Sequence, residues 1–382
     1  MSGFVFESVS NFIVGIDSLT HLNEECLKLK IQNVLVVTDQ GLVTQGIAKQ
    51  VTDQLQIDHQ LYTDVQADPP DHVVLSAVDF AKQSQVDGVI GLGGGSAMDV
   101  AKLIAVLAHP NQTQPLHSMY GVDQVQAPRL PLIQIPTTAG TGSEVTPIAI
   151  VTTGETTKSG VVSPILYADT AILDAKLTVN LPTHITAATG IDAMVHAIEA
   201  YTSKHKKNSY SDLLAIQALK LLDQSLPIAL KSPQNLVARQ DMLFGAMLAG
   251  QAFANAPVAA VHALAYPLGG HCHLSHGHSN ALVLCEILKF NAPVTETLYA
   301  ELMLAIIPNA KGTTPELCQQ FINHMQNICA QSGLKLKLSE LDIAEDLLDT
   351  LAHDAMLQTR LLQNNQRELS EADALAIYHA VF

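Results

Sequence analysis

Five of the chain's sixteen histidines crowd into VHALAYPLGGHCHLSHGHSN, residues 261–280. Imidazole is both a metal ligand and a proton carrier near neutral pH, so its partners decide what it does. Upstream, GIDAMVHAIEAY (190–201) sets Asp192 and His196 four residues apart. On a helix that spacing stacks them on one face, a turn apart. Such a pair can hold a divalent cation, or it can be a buried hydrogen-bonded couple. His262 opens a second helical piece, HALAYPL, which Pro267 is expected to limit. His276 follows a Gly-Gly pair and precedes Gly277, and this loop is expected to swing it back beside His262. One carboxylate and three imidazoles form a mixed oxygen and nitrogen set. It suits Fe(II), Zn, Mn or Ni better than Ca or Mg. His271, His273 and His278 stand outside that set, as packing, surface or substrate-facing groups. Cys272 has no Cys-His-Asn arrangement around it and is not read as a nucleophile.

A second kind of chemistry lies in GLGGGSAMDVAK (91–102). Gly93, Gly94 and Gly95 end a strand and open a helix. They bring bare backbone and the positive helix end to an anion, or else form a flexible turn. Ser96 and Asp99 read as a capping box at that helix start. The spacing is neither a P-loop nor G-x-G-x-x-G. PTTAGTGSEVTP (136–147) also follows a strand, and its Thr137 and Thr138 can line a polar ligand or a surface turn. Asp39 ends an earlier strand. It can accept from ribose hydroxyls and repel a 2′-phosphate, or merely cap the next helix.

The elements that must position these residues change in texture along the chain. IQNVLVVTD (31–39), HQLYTDV (59–65), VDGVIGLGG (86–94) and RLPLIQIP (129–136) read as strands. They alternate with helices such as VVLSAVDFAKQSQ (73–85) and AMDVAKLIAVLA (97–108). Continuous apolar strands in this alternation predict a parallel sheet with helices on both faces. From about residue 184 nearly every segment has helical spacing and is rich in Ala and Leu. The expected architecture is an α/β dinucleotide-binding domain over 1–183 and an all-α metal-binding domain over 184–382. LPTH (181–184) is the junction.

Composition narrows the partners. With 36 acidic and 20 basic residues the net charge is −16, which repels nucleic acid and anionic membrane surfaces. No uninterrupted apolar run reaches the roughly 18–20 residues of a membrane span. The stretch MSGFVFESVSNFIVG lacks the basic-then-apolar pattern of a signal peptide. Five scattered cysteines without CxxC fit a reduced, cytoplasmic protein.

In order along the chain, GGGSAMDVAK, PTTAGTGSEVTP, GIDAMVHAIEAY, VHALAYPLGGHCHLSHG and the tail NNQRELSEADALAIYHA resemble the iron-dependent, or group III, alcohol dehydrogenases. Dehydroquinate synthase shares that fold more distantly. The resemblance implies that Asp192, His196, His262 and His276 bind the metal, Fe(II) or alternatively Zn, Mn or Ni. It implies that Gly94, Gly95 and Ser96 cradle a pyrophosphate, with Thr137, Thr138 and Lys158 near the cofactor. Asp39 sits where NAD-preferring members carry an aspartate, so NAD is expected rather than NADP. The reaction implied is reversible hydride transfer between NAD and a small alcohol or aldehyde. A homodimer or higher homo-oligomer is implied, with GFVFES (3–8) as a candidate edge.

Three positions depart from the family's pattern. Tyr266 stands where many members carry a second histidine that lines the site. With an ordinary pKa of about 10, a tyrosine is a poor relay in its place. Asp68 replaces an asparagine near the cofactor and adds a negative charge. Gln366 replaces a proline in the tail, with no effect expected. Two other readings compete: a reductase or transhydrogenase acting on oxoacids or maleylacetate-like substrates, with Arg239 and Lys289 as the sparse cations available, and a metal- or nucleotide-binding protein without turnover.

Overall fold

The computed structural model describes residues 3–154 and 157–382. The chain divides into two compact units, Glu7–Asn180 and Leu181–Phe382, the second joined by the described residues up to Phe6. Phe6 sits edge-on to Tyr210 with ring centroids 4.5 Å apart, so the first described residues pack with the helical unit. The expected span of 1–183 places them in the α/β unit, whereas they group with the helical unit. Met1 and Ser2, the start of the stretch read for a signal peptide, lie outside the described residues.

The α/β unit holds strands β1 (Asn11–Val14), β2 (Asn33–Val37), β3 (Asp58–Tyr62), β4 (Gly88–Gly93), β5 (Gly121–Val122), β6 (Leu132–Pro136), β7 (Ile148–Thr153), β8 (Thr157–Val162) and β9 (Thr170–Leu173). Its helices are α1 (Leu22–Lys28), α2 (Gln40–Thr44), α3 (Ile47–Thr52), α4 (Asp71–Gln83) and α5 (Gly95–Leu107). Six strands form a parallel sheet in the order β1-β9-β6-β4-β2-β3. Every residue of β4 and β6 is buried, which is why their sequences run apolar without alternation. The strands β3 and β4, both later in sequence than β2, flank it on opposite sides. The strand order therefore reverses there, and Asp39 and Gly93–Gly95 lie at the carboxyl ends of the two strands that meet at the reversal. Ligands of open α/β sheets bind at such a crevice. The edge β1 and the short β9 carry too little pattern to be read from sequence. The separate β5-β8-β7 sheet, built on an antiparallel β7–β8 hairpin, was also not anticipated. The segment GFVFES carries no strand within the chain.

The hairpin and the threonine loop are fastened to α5 by a buried polar network. Lys102 is fully buried, and its Nζ donates to Ser143 Oγ and the Ile148 carbonyl, both at 2.7 Å. Asp99 accepts from Ser143 Oγ at 2.6 Å and from the Ile150 N–H at 2.9 Å. The expected capping box is thus corrected: α5 starts at Gly95 with Gly94 as its N-cap, and no side chain caps it. Asp99 lies too far into the helix to cap, and binds the hairpin instead. Glu144 is buried in the same loop. Desolvation pushes its carboxyl up to about 7, against its own backbone N–H and the Lys102 charge.

The helical unit comprises α6 (Thr183–Tyr201), α7 (Ser209–Lys231), α8 (Leu236–Asn255), α9 (Ala260–Cys272), α10 (His276–Ile306), α11 (Thr314–Gln331), α12 (Leu348–Met356), α13 (Thr359–Leu362) and α14 (Glu371–Ala380). From Gly190 to Tyr201 every residue of α6 is buried, which makes it the central rod of the unit. The helix α7 is long and apolar enough to cross a membrane by length and composition, and packs its Ala218, Leu222 and Leu226 face inward. Two local expectations are corrected. Pro267 does not limit the helix, since α9 runs on to Cys272 with Pro267 buried inside it, and packing outweighs the lost backbone bond. Nor is the Gly-Gly pair a loop. Gly269 and Gly270 are helical, and the reversal occurs at His273–Ser275, where His273 takes φ 54°. The helix α10 then starts against α6. A Cβ on Gly277 would lie 2.3 Å from the Ala188 carbonyl oxygen and 2.6 Å from its carbon.

Two outcomes follow from this packing. Glu144 has a folded pKa above its unfolded value, so its contribution is fully present below about 4.5 and lost as pH rises through about 7. Glu144→Gln is expected to remove about 3 kcal/mol of that decline, read as a flatter dependence of the thermal midpoint on pH. Gly277→Ala forces backbone apart and is expected to cost about 1–3 kcal/mol, measured as a lower urea midpoint.

Candidate functional site

Four side chains predicted from separate stretches come together in the helical unit. One ligand atom from each of Asp192, His196, His262 and His276 lies within 4.8 Å of all the others. Asp192 Oδ1 is 3.7 Å from His196 Nε2, 3.8 Å from His262 Nε2 and 3.6 Å from His276 Nε2. The central helix α6 supplies the carboxylate and the first imidazole from one face. The first turn of α9 supplies His262, and the first residue of α10 supplies His276. Helix-borne donors have few ways to move, so the cluster is preorganised. Phe253 stacks on His196 at 4.3 Å, and His196 stacks on His262 at 4.8 Å. Asp192, His196 and His262 are buried, whereas the His276 side chain is 32% exposed, so the cluster opens on the His276 side.

The protonation states suit a cation. Burial drives His196 down to about 4 despite the adjacent Asp192, so its ring is neutral at pH 7. For Asp192 burial alone would raise the pKa. His196, His276, His262 and a hydrogen bond from Asn280 outweigh it and hold the carboxyl below its ordinary value. A neutral imidazole and an ionised carboxylate are the forms that coordinate a metal.

Two members of this cluster went unrecognised in the sequence. Asn280, fully buried, sends its Nδ2 to Asp192 Oδ1 at 2.6 Å and lies 3.4 and 3.3 Å from the Nε2 atoms of His262 and His276. Its N–H donors face the point where the ligand lone pairs converge, while its Oδ1 is buried without a partner. Donors turned inward and an orphaned oxygen turned away mark a place whose lone pairs call for positive charge. Glu199, also buried, places Oε2 2.7 Å from His262 Nδ1. Both had a usable signal: Glu199 is three residues after His196 and Asn280 four after His276, each on its ligand's helix face.

The other histidines have separate partners. His271 Nε2 meets Asp354 Oδ2 at 2.6 Å, and His278 Nε2 meets the Lys335 carbonyl at 2.6 Å. His273 forms the exposed turn. Tyr266 is half-buried, with its ring centroid 5.7 Å from that of His276. Burial pushes the Cys272 thiol up, which makes it a poor nucleophile. Gln366 donates to the Thr202 carbonyl at 2.9 Å, at the end of α6.

In the α/β unit the glycine turn has the expected form. Gly93 takes φ 150°, and a Cβ there would lie 2.8 Å from the Ala97 Cβ. A Cβ on Gly94 would fall 3.5 Å from Thr138 Oγ1, a buried hydroxyl without a partner among the described residues. Gly95 and Ser96 begin α5, whose first N–H groups no side chain caps. The Thr137 N–H donates to the Gly93 carbonyl at 2.9 Å, tying the two loops together. Asp39 caps α2 by accepting from the Leu42 N–H at 3.0 Å with one oxygen. The other oxygen lies 3.9 Å from where a Gly93 Cβ would be. Lys158 on β8 pairs with Asp68 at 2.5 Å.

Comparison with known proteins places these features in a family. The profile described as "Iron-containing alcohol dehydrogenase" matches residues 10–175, and "Fe-containing alcohol dehydrogenase family, C-terminal" matches residues 186–382. The chain is 42% identical to long-chain-alcohol dehydrogenase 1 of Geobacillus thermodenitrificans (strain NG80-2), over 99% of this chain and 96% of that protein. It is 33% identical to the sulfoacetaldehyde reductase of Bilophila wadsworthia (strain 3_1_6), over 99% of each. The crystal structure of a 1,3-propanediol oxidoreductase superposes with a TM-score of 0.96 at 30% identity, covering 100% of both chains. With both units matched and the α/β-plus-helical architecture shared, the chain belongs to the iron-containing alcohol dehydrogenase family.

Proposed function

We propose that this NAD-dependent alcohol dehydrogenase holds its divalent cation through Asp192, His196, His262 and His276. The observation that carries the reading is the convergence of those four donor atoms within 4.8 Å in the helical unit. The donor set is one oxygen and three nitrogens, which fits Fe(II), the metal of the family's name, and also Zn, Mn or Ni. The pyrophosphate of NAD is assigned to Gly93, Gly94, Gly95 and Ser96, with Thr137 and Thr138 beside it. The bare α5 N-terminus and the unpartnered Thr138 hydroxyl support this. The uncommitted oxygen of Asp39 is assigned to the ribose, and its charge favours NAD over NADP. Asp99 acts indirectly, by fastening the threonine loop to α5.

When bound, the cation supplies Lewis acidity toward the oxygen of a small alcohol or aldehyde, and NAD supplies the hydride acceptor. The chain's own residues bind and orient. His196 keeps a neutral ring, packed in place between Phe253 and His262, and His276 borders the open side where substrate enters. Tyr266 stands next to His276 as a wall of that opening, with no proton-relay role assigned. An oxoacid substrate has less support. Arg239 is buried with Nε and Nη1 committed to the Pro233 carbonyl and Thr186 Oγ1, and Lys289 is paired with Glu286. Five free thiols support a cytoplasmic enzyme, and family membership supports a homo-oligomer.

The test is formation of NADH from a panel of alcohols by protein loaded separately with iron and zinc, with NADP and oxoacids as comparisons. Activity on primary alcohols with NAD, lost on chelation, is expected, and silence across the panel would overturn the reading. His262→Ala is expected to abolish both metal content and turnover, whereas His278→Ala leaves both near wild type. The Asp68–Lys158 pair adds a further outcome. Asp68→Asn releases Lys158 and is expected to tighten NADH binding by about two- to fivefold, the range of an exposed ion pair. Fluorescence titration of NADH checks it.

A further inference from the structure

His262 can offer Nε2 to a cation only if its ring proton sits on Nδ1, and the chain must decide this before any metal arrives. We propose that Glu199 makes that decision and is a positioning residue of the cation site. The inference rests on the cation reading above. Asp192, His196 and Glu199 are spaced four and three residues apart, so one face of α6 carries two ligands and the carboxylate that aims a third. Glu199 is buried, and its carboxylate faces two backbone N–H groups and one ring nitrogen. Oε2 lies 2.7 Å from His262 Nδ1 and accepts from the Ala259 N–H at 2.9 Å, and Oε1 accepts from the Val261 N–H at 2.7 Å. The opposite tautomer would set the Nδ1 lone pair against a carboxylate oxygen, away from water, where repulsion is strongest. Glu199 therefore holds the proton on Nδ1 and leaves the Nε2 lone pair facing Asp192 Oδ1, 3.8 Å away. A ligating imidazole whose other nitrogen is held by a carboxylate is oriented and made more basic.

The same carboxylate has a second task that the test must separate from the first. Ala259, the N-cap of α9, has no side chain able to cap, and Glu199 satisfies the N–H groups of Ala259 and Val261 from the neighbouring helix. A purely structural Glu199 would stabilise α9 and leave the choice of tautomer alone.

Three measurements distinguish these possibilities. In metal-free wild type with 15N-labelled histidine, the His262 ring, assigned by difference with His262→Gln, is expected to show its proton on Nδ1. A proton on Nε2 overturns the inference without any variant having to fold. Zn²⁺ affinity, read by chelator competition, is expected to fall 10–100-fold in Glu199→Gln and to be partly recovered in Glu199→Asp. In Glu199→Gln/Ala259→Ser, which supplies a cap but no carboxylate, the metal-free thermal midpoint is expected to rise while Zn²⁺ affinity stays low. If affinity returns with the midpoint, or if Glu199→Gln binds Zn²⁺ like wild type, Glu199 is only a cap. Failure of the wild type itself to bind Zn²⁺ would sink the cation reading, a separate result.

Discussion

Burying an ionised carboxylate inside an apolar helical core is the constraint around which the helical unit is arranged. Asp192 lies on the central helix among Ala, Met, Val and Ile side chains that are wholly buried. A charge so placed costs several kcal/mol unless partners compensate it. Asn280 Nδ2 donates to Asp192 Oδ1, and three imidazoles on α6, α9 and α10 bring their Nε2 atoms to 3.6–3.8 Å of the same oxygen, a donor set whose charge a cation would balance. Glycine at 277 lets α10 approach the α6 backbone closely enough for His276 and Asn280 to reach it. Local packing in this region serves the polar cluster, since an apolar core alone would need neither the contact at Gly277 nor the orphaned Asn280 oxygen.

The α/β unit solves a different problem with a different material. The groups proposed to meet the cofactor are mostly backbone N–H and short hydroxyls on turns, which must be held in place without blocking the approach of an anion. The sheet supplies the reversal at β2 and β4. The buried Lys102, with Asp99 and Ser143, joins α5, the threonine loop and the β7–β8 hairpin into one piece. A buried ammonium with several acceptors costs less than one left unpaired, and its directional bonds restrict how the loop can sit. The proposed cation ligands need no such fastening, because helix backbones already carry them.

Patterns of period were legible in the sequence, and long-range partners were not. The apolar strands β2, β4 and β6 and the helices α4 and α5 can be read directly, because burial on both faces or on one stripe repeats within a few residues. The convergence of Asp192, His196, His262 and His276 was also legible, through residue type and spacing. The strands β1 and β9 were not, since four residues show no period, and β1 is half exposed. Pro267 and the Gly269–Gly270 pair read locally as breaks, yet tertiary packing keeps both within α9. Asp99 looked like a cap because Ser-x-x-Asp is a local signature. Its actual partners, Ser143 and the Ile150 N–H, are more than forty residues away, where no local pattern points. Glu199 was hidden by its chemistry as well as its distance, for a carboxylate that touches the cluster only through another ligand looks like one more acid on a helix.

The three departures from the family pattern differ in what surrounds them, and that difference indicates where this chain can diverge in function. Gln366 gives its amide to the Thr202 carbonyl, beyond the last turn of α6, so the missing proline is replaced by a hydrogen bond. Asp68 brings a negative charge, but Lys158 meets it. Each change is absorbed by a neighbour. Tyr266 is another matter, because it sits one helical turn after His262 and borders the exposed ligand His276. A histidine there would titrate near neutral pH, whereas a phenol does not and fills more space. A tyrosine in place of that histidine therefore changes the bulk and polarity of the surface beside His276.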